Sequence, residues 1–168
     1  NRRIQTPVLD RMAREGTRFT QFYVAAAVCS PSRASFLTGR FTPRHGVVRH
    51  FRNKRSNLQR GMPLWLDPNQ PLLPRLLRDA GYATAHFGKW HLCSSDDPDS
   101  PLPSQYGFQD HRVVVDDGDG LQRLPRGAKG WNVWEGARPG PRWAEWKARS
   151  NELIIDETIR FVEQNKDR

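Results

Sequence analysis

The sequence predicts an α/β fold in which a mainly parallel sheet is sandwiched between helices. Two observations support this prediction. Helix-like and strand-like segments alternate along the first half of the chain, and glycines stand where one segment gives way to the next. Such alternation favours parallel strands joined by helical connections. With 168 residues, the chain is long enough to bury one hydrophobic core.

Before Cys29, the chain predicts one helix and then one strand. Thr6 and Pro7 are typical of the start of a helix, and Gly16 is typical of its end. Apolar residues recur on one face between these positions. Residues 18–26 are then expected to form a strand that leads directly to Cys29.

A second helix is expected directly after Cys29. Ser30 suits the N-cap and Pro31 the first helical position, because the N–H that proline lacks would be unpaired there anyway. Gly39 can end this helix in a left-handed conformation. Cys29 would then precede a helix N-terminus, where free N–H groups and the helix dipole favour an anion. Arg33 lies about one turn further on, so its guanidinium can return to the same place and complete a sulfate or phosphate cradle.

A third helix and a strand lead to a second group of polar side chains. Leucines at helical spacing predict a helix that ends at Gly81, and residues 82–87 predict a short strand. Gly88 allows the backbone to turn, which places Lys89 and His91 just past the carboxyl end of the strand, where open α/β sheets bind ligands. Lys89 offers a positive charge to an anion, and His91 can donate a hydrogen bond or carry a proton near neutral pH.

The remaining segments predict loops, one short strand and one long helix. Residues 92–103 are rich in Ser, Asp and Pro and predict a loop, whereas residues 113–115 predict a strand. Residues 116–120 look superficially like a calcium loop but lack the downstream glutamate of an EF-hand, which favours a plain turn. Residues 151–166 predict an amphipathic helix. Its expected buried side comprises Leu153, Ile154, Ile155, Thr158, Ile159 and Val162. His86 lies inside the strand pattern and is expected to be structural.

Three segments resemble stretches found in the type I sulfatases of the alkaline phosphatase superfamily. Residues 29–40, CSPSRASFLTGR, match the signature C-x-P-S-R-x-x-x-L-T-G-R at every fixed position. Residues 81–91, GYATAHFGKWH, are similar to the second signature, G-Y-x-T-x-x-x-G-K-W-H. Residues 6–16 resemble the stretch T-P-N-L-D-x-L-A-x-E-G that precedes the first signature, with Val8 in place of the asparagine. The sequence is therefore identified as a relative of these enzymes, with their fold as the expected one.

The resemblance implies a reaction that depends on chemical modification of Cys29. In the family, a maturation enzyme oxidises this cysteine to Cα-formylglycine, and one hydroxyl of the hydrated aldehyde attacks the sulfur of a sulfate ester. The second hydroxyl then loses its proton, the aldehyde re-forms and sulfate is expelled. Arg33, Lys89 and a divalent metal, calcium in most relatives, would neutralise the charge on the transferring group. Lys89 and His91 would bind the sulfate or the formylglycine and assist proton transfer.

The resemblance also implies that residues 1–168 form the N-terminal part of a longer catalytic domain, without its first strand and its C-terminal portion. The metal-binding Asp-Asp pair of the family normally precedes the nucleophile, but the only earlier aspartate here, Asp10, falls in the first helix. The other metal ligands and a further lysine normally follow beyond residue 168. Cys29, as formylglycine, would be the one metal ligand present, so this piece alone is expected to bind metal poorly and to turn over slowly or not at all.

Composition restricts the partners but does not identify the substrate. The net charge of +9 favours anionic partners such as sulfated glycans, and no nucleic-acid-binding module is recognisable. No apolar run is long enough to span a membrane, and two cysteines make no disulfide framework. The basic segment 49–60 is either a solvated loop near the mouth of the site or a guide for an anionic substrate. The Trp-rich segment 131–146 either packs on the body or stacks on a sugar or aromatic ring.

Several functional alternatives remain open at this stage. The same formylglycine chemistry serves hydrolases of phosphonates and phosphate diesters in the superfamily. A non-catalytic, anion-binding domain on a sulfatase-like scaffold is the alternative from a different functional class. Sulfated glycans, steroid sulfates and aryl sulfates are all compatible with the motifs. Export to the periplasm, the lysosome or the cell exterior is implied by the family alone.

Overall fold

The computed structural model is an α/β arrangement, and it describes residues 4–94, 97, 99–115, 132–135, 138–139 and 143–167. Within these ranges the helices and strands follow one another as α1 (Pro7–Glu15), α2 (Cys29–Thr38), α3 (Thr42–His45), α4 (Lys54–Gln59), α5 (Leu73–Asp79), β1 (Ala85–Lys89), a 3₁₀ turn (Pro103–Tyr106), β2 (Asp110–Val115), β3 (Asn132–Glu135), β4 (Arg138–Pro139) and α6 (Trp143–Asn165). The predicted α/β class is therefore confirmed.

The four strands form one sheet in the order β1-β2-β3-β4. β1 pairs with β2 in parallel, with Ala85 opposite Asp110 and Lys89 opposite Val114. β2 and β3, and then β3 and β4, pair antiparallel. The parallel pair positions the site, because Lys89 is the last residue of β1 and His91 follows it by two residues.

The first helix forms as predicted, but the strand expected after it does not. α1 ends at Gly16, as the sequence indicates. The prediction of a strand over residues 18–26 is wrong, because this stretch has only bends and irregular backbone. A strand requires hydrogen bonds to a neighbouring strand, and no strand of the described sheet pairs with this segment.

α2 begins two residues earlier than its sequence suggests. Cys29 is the first helical residue and extended Val28 is the N-cap, so the assignment of Ser30 as the N-cap is wrong. The Ser30 hydroxyl instead accepts a hydrogen bond from the Phe51 backbone N–H at 3.0 Å, which is a contact between segments that local propensity cannot show. Gly39 ends the helix in the left-handed region, at φ 64°, as predicted.

β1 is displaced toward the C-terminus relative to the prediction. The expected strand over residues 82–87 is observed as Ala85–Lys89, because the carbonyl of Thr84 accepts the N–H groups of Gln109 and Asp110 at the start of β2 and so fixes where pairing begins. Lys89 is therefore the last residue of the strand and does not lie beyond it. The helix before β1 ends where predicted, with Gly81 at φ 90°.

The buried core lies between α2, the sheet and the loops that connect them. Its members are Ala34, Leu37, Val47, Phe51, Met62, Leu66, Leu72, Trp90, Leu92, Cys93, Tyr106, Phe108 and Val113. Trp90 is central: its ring meets those of Tyr106 and Phe108 edge to face, at centroid distances of 5.0 and 6.0 Å. The Tyr106 hydroxyl donates to the Leu66 carbonyl at 2.6 Å. Because Trp90 lies between Lys89 and His91 in sequence, this packing anchors the segment that carries both residues.

α6 packs on the sheet through a different face from the one predicted. The helix begins earlier than expected, and Leu153 is buried, but Ile155, Ile159 and Val162 are more than half exposed, so their predicted burial is wrong. On the side that faces the sheet, Arg160 lies 3.1 Å from Asp110 at the start of β2, and the ring of Phe161 packs edge to face on Phe87 at 5.9 Å.

Two predictions concern residues or side chains that the structure does not describe. The calcium-like turn at 116–120 falls outside them, and the side chains of the Trp-rich segment 131–146 are not described, so both interpretations stay predictions. No helix among the described residues combines the length and apolar character required to cross a membrane.

We expect Gly107→Ala to destabilise the protein more than Gly81→Ala. Both glycines have positive φ, which costs an L-residue about 1–2 kcal/mol. A Cβ on Gly107 would also lie 2.5 Å from the backbone nitrogen of Arg75, whereas a Cβ on Gly81 meets nothing within 4 Å. This overlap should raise the loss for Gly107→Ala to about 3 kcal/mol or more. Urea unfolding of both variants checks the difference, and equal losses would contradict the tight approach of Gly107 to α5.

Candidate functional site

Cys29 and His91 meet although 62 residues separate them in sequence. Cys29 Sγ lies 3.1 Å from His91 Nδ1. The opposite ring nitrogen, Nε2, lies 2.9 Å from the carbonyl oxygen of Phe51. A carbonyl can only accept, so Nε2 carries a hydrogen, and the neutral ring presents the Nδ1 lone pair to position 29. The geometry therefore allows His91 to take a proton from a group at this position.

The backbone of His91 is held in an uncommon conformation. Its φ of 52° lies in the left-handed region, where no other described non-glycine residue is found. Such a conformation costs about 1–3 kcal/mol and persists where the surrounding structure imposes it. His91 is also almost completely buried, at 4% exposure. The turn after β1 is thus fixed in a form that brings the imidazole to the start of α2.

Arg33 connects α2 with the end of β1. Its Nη1 donates a hydrogen bond of 2.6 Å to the carbonyl of Lys89. Its Nε is buried and has no hydrogen-bond partner among the described residues. Burial lowers the pKa of the Arg33 guanidinium from its ordinary value, and Cys29 offsets part of this effect. The guanidinium therefore lies within electrostatic range of position 29 and keeps a donor available for a further acceptor.

Lys89 contributes its backbone to this arrangement in the structure. Its carbonyl accepts hydrogen bonds from Arg33 Nη1 and from His86 Nε2, the latter at 3.1 Å. Its side chain is half-buried. The predicted contact between the Lys89 ammonium and a sulfate remains a prediction, whereas Cys29, Arg33 and His91 are brought together as the sequence indicates.

The position of Cys29 in α2 preserves the expected electrostatic environment. The expectation that Cys29 precedes the helix is wrong, since it is the first helical residue. The N–H groups of a first helical turn have no partner within the helix, and no side chain caps this one. Position 29 therefore lies in the region where the helix dipole favours negative charge.

Sequence reasoning missed the part that segment 49–60 plays in the site. The expectation of a plain solvated loop is wrong, because Phe51 is buried and residues 54–59 form α4. Asn53 caps this helix by accepting the N–H of Ser56 at 2.8 Å. An asparagine three residues before a serine, and two residues after a lone apolar residue, was the available signal for a capped helix and a buried anchor. The segment matters because it supplies the carbonyl that holds His91.

His86 has the structural role that its place in the strand suggests. Its ring packs edge to face on Trp90 at 5.2 Å, and its Nε2 donates to the Lys89 carbonyl. Burial lowers the pKa of His86 to about 4, with a smaller opposing effect of that hydrogen bond and smaller lowering effects of Arg33 and His111. His86 is therefore uncharged at neutral pH and supports the site by packing on Trp90.

The described residues do not form a metal site. No group of three or more His, Cys, Asp or Glu side chains within the described ranges lies close enough together to hold a metal ion. Asp10 lies on α1, and its carboxylate accepts a hydrogen bond from the Thr6 hydroxyl. Asp10 thus lies in the first helix, as its place in the sequence predicts.

A large apolar cavity lies beside the site. It has a volume of about 1020 Å³, and its lining includes Phe22, Phe36, Leu77, Trp90, Arg33 and His86. Cys29 and His91 are not among the lining residues. The cavity therefore adjoins the supporting residues of the site and not the nucleophile position itself.

We expect the free energy of unfolding to fall as the pH decreases from about 6.5 to about 4, with His86 as one cause. Its folded-state pKa lies below the ordinary value of 6.5, so the unfolded chain takes up this proton first. Stability is therefore full above pH 6.5, and the loss is complete near pH 4 at on the order of 3 kcal/mol. Urea titrations across this range should show a shallower pH dependence for His86→Phe, and an unchanged slope would contradict the assignment.

Comparison with curated proteins places this chain beside vertebrate sulfatases. It is 44% identical over 117 residues to the steryl-sulfatase of Mus musculus, which covers 64% of this chain and 18% of that protein. It is 40% identical over 111 residues to arylsulfatase H of Homo sapiens, covering 64% of this chain and 20% of that protein. The chain thus spans about a fifth of the length of these relatives.

Solved structures share the fold. A Bacteroides thetaiotaomicron protein of a locus for the metabolism of multiple glycosaminoglycans aligns with a TM-score of 0.66 at 22% identity, covering 97% of this chain and 44% of that one. The protein BT4656, solved in complex with its substrate D-glucosamine-2-N,6-O-disulfate, aligns with a TM-score of 0.59 at 29% identity, covering 95% and 26%. The sequence model of the sulfatase family matches residues 1–168, and the chain therefore belongs to the sulfatase family.

Proposed function

We propose that the protein containing this chain is a sulfuric ester hydrolase of the arylsulfatase type, with its nucleophile at position 29. The observation that carries the proposal is the 3.1 Å approach of Cys29 Sγ to His91 Nδ1 in a chain of the sulfatase family. When position 29 carries Cα-formylglycine, the hydrate supplies the oxygen nucleophile for attack on sulfur. The cysteine sulfur marks where that oxygen would lie.

The residues around position 29 then have separate tasks. His91 Nδ1 accepts a proton from the group at position 29, because its other nitrogen is committed to the Phe51 carbonyl. Arg33 places positive charge beside the sulfate and has a buried donor available for one of its oxygens. The first turn of α2 adds the field of its unpaired N–H groups. Lys89 is proposed to bind a sulfate oxygen through its ammonium.

We propose that a divalent metal, calcium by resemblance to the family, completes the site with ligands from other parts of a longer protein. The described residues offer no such ligand set, so nothing in the present geometry defines the position of the ion. Position 29, as formylglycine, is the one ligand that this chain is proposed to contribute. Its oxygen would be of the hard type that calcium prefers.

We propose further that residues 1–168 are the N-terminal part of a larger catalytic domain. The relatives are about five times longer, since the alignments cover 18% and 20% of them. Exposed apolar surface supports the same proposal. Phe22, Tyr23 and Phe36 are each at least 70% exposed, and the cavity of about 1020 Å³ that they line is apolar. Additional strands and helices of the same protein would cover this surface.

The substrate is proposed to be a sulfate ester, and a sulfated glycan is one candidate. The bound disulfated glucosamine of BT4656 and the charge of +9 of this chain both support a sulfated anion. The steryl-sulfatase and arylsulfatase relatives support smaller sulfate esters equally. Export to the periplasm, lysosome or cell exterior, and maturation by a formylglycine-generating enzyme, follow from family membership as further parts of the proposal.

We expect activity to require the conversion of Cys29. The full-length protein should be produced with and without a formylglycine-generating enzyme, and the peptide that contains position 29 should be weighed by mass spectrometry. Hydrolysis of 4-nitrophenyl sulfate should rise with the converted fraction. Cys29→Ala should lower kcat/KM by roughly three orders of magnitude or more, because the nucleophile is lost.

Two outcomes would favour the alternatives. Faster hydrolysis of an aryl phosphate diester than of the aryl sulfate would indicate a phosphodiester hydrolase with the same nucleophile. A thiol that stays unconverted in the presence of the maturation enzyme, with no turnover of either substrate, would indicate a non-catalytic anion-binding domain. Cys93 serves as the internal control, since it is buried, its pKa is raised to about 11 by burial, and it should remain a thiol throughout.

We expect residues 1–168 alone to be far less active than the full-length protein. The isolated chain exposes an apolar cavity and, within its described part, has no metal-ligand cluster. With equal conversion at position 29, its turnover of the aryl sulfate should be undetectable, and added calcium should not raise its melting temperature. Activity of the isolated chain within tenfold of that of the full-length protein would contradict the proposal that essential parts of the site lie outside residues 1–168.

A further inference from the structure

We infer that Asn57 is a positioning residue for the reaction proposed above, acting through Phe51 on His91. The inference rests on the proposed function, since its effect is on the group that receives the proton from position 29. Asn57 lies on α4 and makes no contact with Cys29 in the structure. Its influence passes through the segment 50–52, which we call the 50–52 loop.

Asn57 is fully buried, and its side chain uses both of its polar ends. Its Oδ1 accepts the backbone N–H of Arg52 at 2.9 Å and Arg60 Nη2 at 2.7 Å. Its Nδ2 donates to the Arg52 carbonyl and to Ser94 Oγ, both at 2.8 Å. The backbone partners fix the orientation of the amide, because an N–H must face the oxygen and a carbonyl must face the nitrogen. A single side chain thereby immobilises both polar backbone groups of Arg52.

The network continues away from the loop into the core. Ser94 Oγ donates to the Leu64 carbonyl at 2.8 Å, so this hydroxyl uses its hydrogen there and accepts from Asn57. Arg60 Nη2 also donates to the His50 carbonyl at 3.1 Å. The 50–52 loop is therefore tied at its first and last residues to one buried asparagine and one arginine. Buried polar networks that are fully satisfied in this way make a local structure rigid.

Phe51, between these anchored residues, contacts His91 and the residue that follows the nucleophile. Its N–H donates to the hydroxyl of Ser30, which follows the nucleophile on α2. Its carbonyl accepts from His91 Nε2, and its side chain is buried at 2% exposure. Phe51 thus holds both Ser30, the residue after the nucleophile, and His91, the proposed proton acceptor. Asn57 in turn fixes Arg52, the residue that follows Phe51.

The hydrogen bond to the Phe51 carbonyl determines that Nδ1, the His91 nitrogen that faces position 29, carries a lone pair. If the Phe51 carbonyl moves away, Nε2 loses its acceptor and the neutral ring can place its hydrogen on either nitrogen. Rings with the hydrogen on Nδ1 cannot accept a proton from position 29. Replacement of Asn57 should consequently lower the rate of the chemical step and leave substrate binding almost unchanged, as found for residues that orient a catalytic group.

The test uses the full-length protein made with a formylglycine-generating enzyme. Asn57→Asp keeps the oxygen that accepts the Arg52 N–H and removes both donors, whereas Asn57→Ala removes every bond of the side chain. For both variants we expect kcat on 4-nitrophenyl sulfate to fall about 10- to 100-fold, with KM within about twofold of the parent value. The converted fraction of position 29 should equal that of the parent protein.

Two further variants separate positioning from a general loss of stability. Val113→Ala removes part of a buried side chain of the core on β2 and should lower the melting temperature without changing kcat. Ser94→Ala removes one of the four hydrogen bonds of the Asn57 side chain and should have a smaller effect on kcat than Asn57→Asp. Asn57 variants that keep the parent kcat, or that lose activity only as their folded fraction falls, would overturn the inference.

A second measurement does not depend on activity. Nitrogen-15 shifts of the His91 ring at a pH where the ring is neutral report which nitrogen carries the hydrogen, and His91→Gln assigns the signals. We expect the parent protein to show hydrogen on Nε2 and Asn57→Asp to show a mixture of both forms. An unchanged pattern in Asn57→Asp would overturn the inference even if the parent enzyme were inactive, whereas a converted but inactive parent with the expected pattern would count against the proposed function alone.

Discussion

The hydrogen bond from His91 Nε2 to the Phe51 carbonyl is the interaction on which the site depends. Because it commits one ring nitrogen as a donor, it leaves the other as an acceptor 3.1 Å from Cys29 Sγ. Without it, proximity of the two side chains would not determine the direction of proton transfer. The bond is possible because His91 adopts a left-handed backbone, an expense of about 1–3 kcal/mol that the packing around Trp90 offsets.

The residues that support this bond are distinct from the residues proposed to react. Trp90 packs against His86, Tyr106 and Phe108, so the backbone on either side of it cannot shift without disturbing the core. On one side this packing fixes the Lys89 carbonyl that receives Arg33, and on the other it fixes His91. Arg33 and His86 therefore lie at the border of this well-packed region and the open apolar cavity, whereas Cys29 and His91 do not line the cavity.

The sequence indicated which residues meet at the site better than it indicated the contacts that hold them there. Cys29, Arg33 and His91 were predicted together because fixed spacings relate them to a helix start and a strand end, and the structure brings them together. The starts of α2 and β1 were missed by two and three residues, because the hydrogen bond from the Phe51 N–H to the Ser30 hydroxyl and the pairing of β1 with β2 decide them. Such contacts join segments far apart in sequence, and local propensity contains no information about them.

Apolar periodicity indicates which face of a segment needs a partner, but it does not identify the partner. On α1 the residues Val8, Leu9 and Met12 share one helical face as predicted, and they remain between 63% and 70% exposed. Exposed apolar surface costs about 25 cal/mol per Å², so a pattern of this regularity is unfavourable in water. The same reasoning applies to Ile155 and Ile159 on α6, where ion pairs bind the opposite side of the helix to β2. Both patterns are consistent with elements whose apolar faces are buried by further parts of the proposed larger domain.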